Sequence, residues 1–384
     1  MLRALFRRRV PGVAVILLFL LAPFEGMVSQ VQAKDRANSS APVSVFATGL
    51  NSPRGLSFGP DGSLYVSEAG LGGKQSTVGQ CTQVKAPVGP YTNGPTARIS
   101  KISPAGVRTT VLDGLPSAQT NPVGGYTTVG VAQTAFIGHS LYALLSSGGC
   151  SHGNTKIPSA LIKVDSHEHT WKITTDLSRY IKTHPIKYRD PDDYEPDGDY
   201  YSMVTLNGSL YLTQANGQEI DRITPNGQIT RVADLSTLFT PPDNWQGPTG
   251  ITAHNGNLYF GVLGTFPARP GTQNLYELTP NGFLRVVASG LTTVLGIAFD
   301  KHGHLFALEN FTVPGYPGPK AVGTGKVVCI GKNGTINTVA SGLTFPTGMT
   351  FGPDGGLYVS NLGYGVPTPG AGQILRVDTS TATC

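Results

Sequence analysis

The chain has 384 residues, of which 50 are glycine and 29 are proline. This composition excludes a mainly helical protein. Because the glycines and prolines separate apolar runs, they indicate many short strands joined by turns rather than low-complexity sequence. The formal net charge is only +5 and the chain has no basic stripe, so we expect no nucleic-acid partner.

The first 33 residues are predicted to be a secretory signal peptide. Arginines at 3 and 7–9 form a basic start, residues 13–21 an apolar stretch, and 31–33 a small-residue cleavage site. An uncleaved membrane anchor is the alternative, but the apolar run is shorter than the ~20 residues that span a bilayer. Cleavage leaves a mature chain of net charge +2 that begins with a short linker, 34–42. We expect that chain to be secreted or held in the cell envelope, with no transmembrane segment.

One phrase organises the rest of the chain. It reads PRGLSFGPDGSLYVSE at 53–68 and returns as PTGMTFGPDGGLYVSN at 346–361. Each copy predicts a strand, a tight turn and a second strand, because Pro-Asp-Gly is typical of turns and Leu-Tyr-Val favours a strand. Weaker copies begin at positions 131, 202, 250 and 296. The sequence therefore predicts six hairpins.

A second, looser pair of strands follows each hairpin, as in EIDRITPNGQITRVADL at 219–235. Six units of four strands favour radial packing. The last unit ends after its third strand, QILRVD at 373–378, and VSVFATGL at 43–50 supplies the missing fourth. We therefore predict an all-β fold over 43–384: a six-bladed β-propeller of four-stranded antiparallel blades, with the last blade closed by the N-terminal strand.

The topology also predicts which face carries a binding site. Turns between strands one and two, and between strands three and four, are short and share one face of the disc. The remaining connections, among them 69–96 and 178–200, are long and share the other face, which we call the long-loop face. Long ordered loops on a rigid scaffold commonly carry sites. A small organic ligand or a partner protein is expected there, and simple capping of the channel is the alternative.

Polar residues end the second strands of several blades. Glu68, Glu309 and Asn361 do so in three adjacent blades, and Gln214 in a fourth. Two carboxylates and an amide suit a hard cation such as Ca²⁺, or acid–base catalysis if one pKa is raised. The alternative is that they accept hydrogen bonds from loop backbone. Arg54, on the first strand of the first blade, is expected to pair with Glu68 or to meet an anionic ligand. These five residues are the predicted candidates at the channel mouth.

The acidic stretch RDPDDYEPDGDYY at 189–201 is a second candidate for a cation. Asp193, Glu195 and Asp197 have the alternating spacing of a calcium loop. Val204 stands where such a loop needs its closing glutamate, and a proline is at 196, which argues against an EF-hand. A looser cation site, or a loop that folds over the channel mouth, is the prediction.

The four cysteines form no CxxC pair, which argues against a zinc ribbon or a thioredoxin-like centre. Cys81 and Cys150 lie in long loops of adjacent blades on one face, and we predict a disulfide between them. The sequence leaves open whether Cys329 pairs with Cys384, because a disulfide depends on the distance and orientation of the two residues in the folded chain.

Five aromatic residues of the long loops could stack on a ligand, although most are expected to pack the loops themselves. They are Tyr91, Trp245, Phe266, Tyr316 and Tyr364.

Four segments of the chain resemble the ScyD/ScyE family of exported proteins, which is named for the gene cluster of the cyanobacterial sunscreen pigment scytonemin. They are VFATGLNSPRGLSFGPDGSLYVSEAG at 45–70, CTQVKAPVGPYTNGPTARISKI at 81–102, SGGCSHG at 147–153 and TGMTFGPDGGLYVSN at 347–361. The resemblance implies an exported six-bladed propeller with NHL-like repeats. It implies no catalytic residues, because the family has no catalytic motif that maps onto these positions.

Two enzyme classes share this architecture, so a metal-dependent hydrolase or an oxidoreductase at the channel mouth is the alternative function. Lactonases of the gluconolactonase type use a Glu, an Asn and an Asp at the ends of first strands. The corresponding positions here include Arg54, Thr249, Leu295 and Thr347, which argues against that mechanism. Quinoprotein sugar dehydrogenases need a His, Arg and Lys set that the sequence does not supply. No catalytic residue is assigned from sequence.

Overall fold

The structure is a computed structural model that describes residues 41–125, 127–190, 194–238, 246–365 and 368–384. The predicted signal peptide, most of the linker, Asp193 and Trp245 lie outside the described residues. The described part of the chain contains no helix with the length and apolarity needed to cross a bilayer.

Six antiparallel sheets confirm the predicted six-bladed β-propeller: five are built around four consecutive strands, and the sixth combines the last three strands with the N-terminal one. The first blade contains β2 (Pro53–Phe58), β3 (Leu64–Glu68), β4 (Thr92–Ile102), β5 (Arg108–Gln119) and a short fifth strand, β6 (Thr128–Val129). The second contains β7 (Val131–Ile137), β8 (Ser140–Leu145), β9 (Ala160–Asp165) and β10 (Thr170–Asp176). The third contains β11 (Tyr200–Leu206), β12 (Ser209–Gln214), β13 (Glu219–Ile223) and β14 (Ile229–Asp234).

The remaining three blades repeat the same order of strands from the axis outward. The fourth contains β15 (Pro248–His254), β16 (Asn257–Val262), β17 (Gln273–Leu278) and β18 (Leu284–Leu291). The fifth contains β19 (Val294–Phe299), β20 (Leu305–Glu309), β21 (Gly325–Ile330) and β22 (Ile336–Leu343). The sixth contains β23 (Gly348–Phe351), β24 (Leu357–Asn361), β25 (Gly372–Val377) and β1 (Val43–Leu50).

The N-terminal strand closes the last blade, as predicted. β1 pairs with β25 in antiparallel register, with Val43 opposite Val377 and Leu50 opposite Gly372. This pairing covers the edge of β25 that would otherwise be exposed at the seam of the ring. Cys329 of the fifth blade also bonds to Cys384, at the chain end, so the pairing that sequence left open is formed.

Small residues allow the innermost strands to approach one another. A Cβ on Gly250 would lie 2.7 Å from the Cα of Gly296 in the next blade, and one on Gly348 would lie 2.6 Å from the carbonyl oxygen of Arg54. Both distances are shorter than real Cβ contacts. The glycine that recurs in the hairpin phrase is therefore required by packing around the axis.

Two long connections are more regular than the sequence predicts. The loop expected at 69–96 ends earlier, because β4 already begins at Thr92 and pairs there with Gln119 of β5. The connection 178–200 contains a short helix, α1 (Leu177–Thr183), whose first turn is capped by Asp176 accepting a hydrogen bond from the backbone of Arg179. Short 3₁₀ turns occupy Cys150–His152, Leu235–Thr237 and Pro319–Ala321.

The disulfide at the seam gives a stability prediction. We expect Cys384→Ser to lower the free energy of unfolding by about 2–4 kcal/mol, because the bond restricts the unfolded chain over a separation of 55 residues. Denaturant titration of the oxidised protein measures the change. Thr381→Ser, an exposed substitution in the same tail, is the control and should leave the midpoint where it is. An unchanged midpoint for Cys384→Ser would contradict the prediction.

Candidate functional site

One tyrosine crosses the central channel at the long-loop face. Tyr201 is the second residue of β11, and its hydroxyl donates a hydrogen bond of 2.7 Å to the carbonyl oxygen of Thr347. Tyr201 belongs to the third blade and Thr347 leads into the sixth, so the bond joins opposite sides of the ring. Beyond it, the channel contains a cavity of about 320 Å³.

The channel cavity is lined mainly by small and uncharged residues. The first strands of all six blades contribute mainly glycine, threonine and apolar residues, and no Asp, Glu, His, Lys or Arg is among the described residues that line it. A divalent cation needs anionic or other strong oxygen ligands, which these residues do not provide. The titratable groups gather instead at the mouth, on the other side of Tyr201.

Seven residues of the long-loop face form a connected group that we call the mouth cluster. A cation–π contact, hydrogen bonds and through-space charge interactions connect its members. The members are Arg54, Tyr91, His152, Glu195, Asp199, Tyr201 and Tyr364.

A buried ion pair forms the inner part of the mouth cluster. His152 Nδ1 lies 2.8 Å from the carbonyl oxygen of Gly148, and Nε2 lies 3.0 Å from a carboxylate oxygen of Glu195. Both neighbours are acceptors, so an imidazolium with two N–H donors satisfies both. Burial alone would lower the pKa of His152, but the hydrogen bond and charge of Glu195 raise it above its ordinary value. The Tyr91 hydroxyl donates to the same carboxylate at 3.2 Å.

The sequence motif SGGCSHG positions this histidine. The disulfide between Cys81 and Cys150 joins the loop after β3 to the turn that carries His152. Gly149 has a φ of 89°, and a Cβ there would overlap the side chain of Asp197. Glycine is therefore needed at this position both for the backbone conformation and for the close approach of the acidic segment.

Asp199 is a carboxyl group of the mouth cluster with a raised pKa. Its side chain remains partly accessible and accepts a hydrogen bond of 3.1 Å from the hydroxyl of Ser146. Burial, and then the negative charge of Glu195, raise the pKa of Asp199 to about 6, although His152, Ser146 and Arg54 act in the opposite direction. A carboxyl group with such a pKa can donate or accept a proton near neutral pH.

Arg54 interacts with the charge of Asp199 and does not pair with Glu68, so the first of the two alternatives for Arg54 is wrong. One terminal nitrogen of Arg54 donates to the carbonyl oxygen of Thr128, and the guanidinium lies 5.5 Å from the centre of the Tyr364 ring. Glu68 pairs instead with Arg98, at 2.7 Å. Arg98 faces Glu68 on the neighbouring strand, whereas Arg54 is at the channel mouth.

The residues that end the second strands have a structural role in their own blades. Each accepts a hydrogen bond from backbone N–H at the crossing into its blade: Asn51 to Glu68 at 2.5 Å, Thr292 to Glu309 at 2.7 Å and Thr344 to Asn361 at 2.9 Å. The third strands add Lys326 at 3.1 Å from Glu309 and Gln373 at 3.4 Å from Asn361. These contacts match the alternative of loop-backbone acceptors. None of the described residues forms a group of three or more His, Cys, Asp or Glu that could hold a metal ion.

Gln214 also turns away from the channel. Its side-chain oxygen accepts a hydrogen bond from the backbone of Gly217, in the hairpin turn between β12 and β13. It does not line the channel cavity.

The acidic stretch forms no common cation site in the described residues. Glu195 faces His152 and Tyr91, whereas Asp197 bonds to Lys182 Nζ at 2.5 Å and to the backbone and hydroxyl of Ser151. Burial opposes these contacts, but Lys182 and Ser151 lower the pKa of Asp197. The described part at 194–199 instead brings Glu195 and Asp199 to the mouth, which agrees with the alternative of a loop at the channel mouth.

The sequence analysis missed Asp199, Tyr201 and His152. Tyr201 occupies in the third blade the position of Arg54 in the first, but the recognisable repeat begins one residue later, at Ser202. Of the loop aromatics, Tyr91 and Tyr364 belong to the mouth cluster. Phe266 and Tyr316 stack on each other, with ring centres 6.0 Å apart.

A second buried group of carboxyls lies behind the mouth, at the third blade. Glu219 and Asp221 are almost fully buried and share the neighbourhood of Arg231, which bonds to Glu219. Burial raises the pKa of Asp221 well above its ordinary value, and burial raises the pKa of Glu219 to about 7 despite Arg231. Tyr180, Tyr200 and Asp234 complete the titratable surroundings.

The fold, but no family, is established by comparison with known proteins. No family model matches this sequence, and no curated protein is significantly similar to it. A gluconolactonase from Xanthomonas campestris aligns over 88% of this chain and 90% of its own, with a TM-score of 0.53 and 13% identity. Regucalcin, a calcium-binding protein from Agrobacterium tumefaciens, aligns over 88% and 93%, with a TM-score of 0.50 and 13% identity. The chain is thus a six-bladed propeller with structural neighbours of these kinds.

The buried carboxyls give a pH prediction. A carboxyl whose folded pKa is raised stabilises the fold fully below its unfolded pKa, near 4, and loses that contribution as the pH rises towards its folded pKa. We therefore expect the free energy of unfolding to fall between about pH 4 and 7, by at most about 1.4 kcal/mol per pH unit for each such group.

Denaturant titrations across this pH range test the prediction, and Asp221→Asn should flatten the decline. Asp354→Asn is the control, because, against burial, hydrogen bonds from Arg376, which stays charged across this range, and from the backbone of Gly356 lower the pKa of Asp354. Its contribution is therefore already complete above pH 4. A profile of Asp221→Asn that runs parallel to wild type would contradict the assignment.

Proposed function

We propose that this protein is an exported propeller that binds a small organic ligand with an aromatic ring at the mouth cluster. The observation that carries the proposal is the hydrogen bond from Tyr201 to Thr347. It gives the long-loop face a floor across the channel, around which Arg54, Asp199 and Tyr364 are gathered. A rigid scaffold with convergent polar and aromatic groups is typical of a ligand site.

Aromatic rings at the mouth favour an aromatic ligand. Tyr201 and Tyr364 both remain partly accessible, and each offers a π face to a flat molecule. The resemblance of 45–70, 81–102 and 147–153 to the ScyD/ScyE family agrees with such a ligand, for example in the assembly of a scytonemin-type pigment.

Export is part of the proposal. The basic and apolar start of the chain supports it, and so do the two disulfides, Cys81–Cys150 and Cys329–Cys384. Structural disulfides persist in oxidising compartments and are rare in a reducing cytosol.

A lactonase-like hydrolase is the second candidate. The neighbours named gluconolactonase and regucalcin have the same architecture, and the pKa of Asp199 near 6 suits an acid or a base. The channel lining does not fit a metal ion, because Thr249, Leu295 and Thr347 stand at the mouth ends of inner strands. Ligand binding is therefore the function that the geometry supports better.

Titration calorimetry with a panel of small aromatic compounds tests the binding function. We expect at least one compound to bind, and Tyr364→Ala to weaken it about 2- to 12-fold, because aromatic contacts contribute about 0.5–1.5 kcal/mol. Tyr316→Ala is the matched control: this tyrosine is in another long loop and is 59% exposed, and its loss should not change the affinity.

Three outcomes would contradict the proposal. Equal weakening by both substitutions would mean that the mouth is not the site. Failure of every aromatic compound to bind the folded wild type would favour a partner protein on the long-loop face. Calcium-dependent hydrolysis of a lactone by the wild type, lost in Asp199→Asn, would favour the second candidate.

A further inference from the structure

Arg54 is a buried cation without a carboxylate partner in the part of the chain that the structure describes. Its exposed fraction is only 6%, and among the described residues no carboxylate oxygen lies within the 4.0 Å of an ion pair. Three other arginines pair with buried glutamates: Arg98 with Glu68, Arg231 with Glu219 and Arg285 with Glu277. A buried charge without a counter-ion is costly, so such a group indicates a missing partner.

The known contacts of Arg54 leave donors unused. The Thr128 carbonyl oxygen accepts from one terminal nitrogen, and the Tyr201 hydroxyl is a further neighbour that the guanidinium influences. A guanidinium carries five N–H donors in a planar fork. The Tyr364 ring, 5.5 Å away, lies against the guanidinium, and it compensates the charge only weakly.

Nearby anions of the protein do not fill this role. Asp199 is close enough for the charge of Arg54 to lower its pKa, but it makes no ion pair with Arg54. Glu195 is held by His152 and Tyr91. The equivalent positions of the fourth, fifth and sixth blades are Thr249, Leu295 and Thr347, so these positions supply no carboxylate to Arg54.

We propose that the ligand of the mouth cluster is an aromatic carboxylic acid, whose carboxylate is bound by Arg54 and whose ring contacts Tyr364. A planar guanidinium matches a carboxylate in two parallel hydrogen bonds. The ring of the acid then lies beside the tyrosines, where an aromatic contact adds to the charge interaction. This inference rests on the proposed binding function and specifies the chemical class of its ligand.

Matched pairs of ligands separate the contribution of the carboxylate charge to the binding affinity from that of the aromatic ring. Benzoate, phenylacetate and 3-phenylpropanoate are titrated beside their primary amides, which keep the ring and nearly the same shape but have no charge. We expect the best acid to bind at least 10-fold more tightly than its amide at low salt. Arg54→Gln should remove this difference and leave the amide affinity within about 2-fold.

Three further measurements make the result specific. Arg108→Gln is the control for charge, because this arginine of the same blade contacts the hydroxyl of Ser100 and lies outside the mouth cluster; it should keep the acid preference. Arg54→Lys should keep part of the preference, since it retains the charge without the fork. If Arg54→Gln does not fold, the wild type alone tests the proposal. An affinity for the acid that exceeds that for the amide, by a ratio that falls as sodium chloride is added, supports the carboxylate assignment. Equal affinities at low salt overturn it.

The outcomes distinguish this inference from the function on which it rests. An acid preference that Arg54→Gln removes supports both. Acid and amide binding with equal affinity would overturn the carboxylate assignment and leave the aromatic site standing. If no acid and no amide binds the folded wild type, both the site and its ligand class are wrong.

Discussion

The convergence of six inner strands on one axis is the constraint on which the rest of the structure depends. A Cβ on Gly250 or Gly348 would lie within 2.7 Å of the backbone of the neighbouring blade, so these blades need a glycine there. The cavity that remains is lined mainly by glycine, threonine and apolar residues. No Asp, Glu, His, Lys or Arg is among the described residues that line it, so the titratable groups of the channel are at its mouth.

Buried carboxylates occur in two settings in this propeller, within a single blade and in the mouth cluster, and their contacts distinguish the two. Glu68 and Glu309 accept backbone N–H groups where the chain enters their blades and meet a cation of the adjacent strand. Both carboxylate oxygens of Glu68 accept hydrogen bonds, whereas one oxygen of Glu309 has only the ion pair with Lys326. These local contacts suit a structural role. Glu195 and Asp199 belong to a group in which charges from different blades and loops are brought together. Burying such groups costs stability, and the disulfide at Cys150 helps to hold them in place.

The fold could be predicted from sequence because the hairpin pattern occurs six times along the chain. The last blade lacks a fourth strand, and the N-terminal strand at 43–50 has the pattern that completes it. The site could be predicted only in part. Glu68, Glu309 and Asn361 were placed correctly along their strands, but a hairpin repeat gives height along the axis and not the radial direction of a side chain. Tyr201 and Asp199 precede the recognisable repeat of the third blade. Their importance depends on contacts with distant residues, which no local pattern records.

The position of Arg54 links these constraints to function. Arg54 is near the long-loop end of the inner strand β2, where a long side chain can be accommodated. Its charge is surrounded by protein and by the ring of Tyr364. A residue kept for stability alone would be better replaced by an uncharged one, because an unpaired buried charge is a net cost. Tyr201 limits access from the channel, so a partner for Arg54 must arrive from the long-loop face. A site that is approached from one side, has a cation at its base and aromatic rings beside it selects for an anionic, flat molecule of small size.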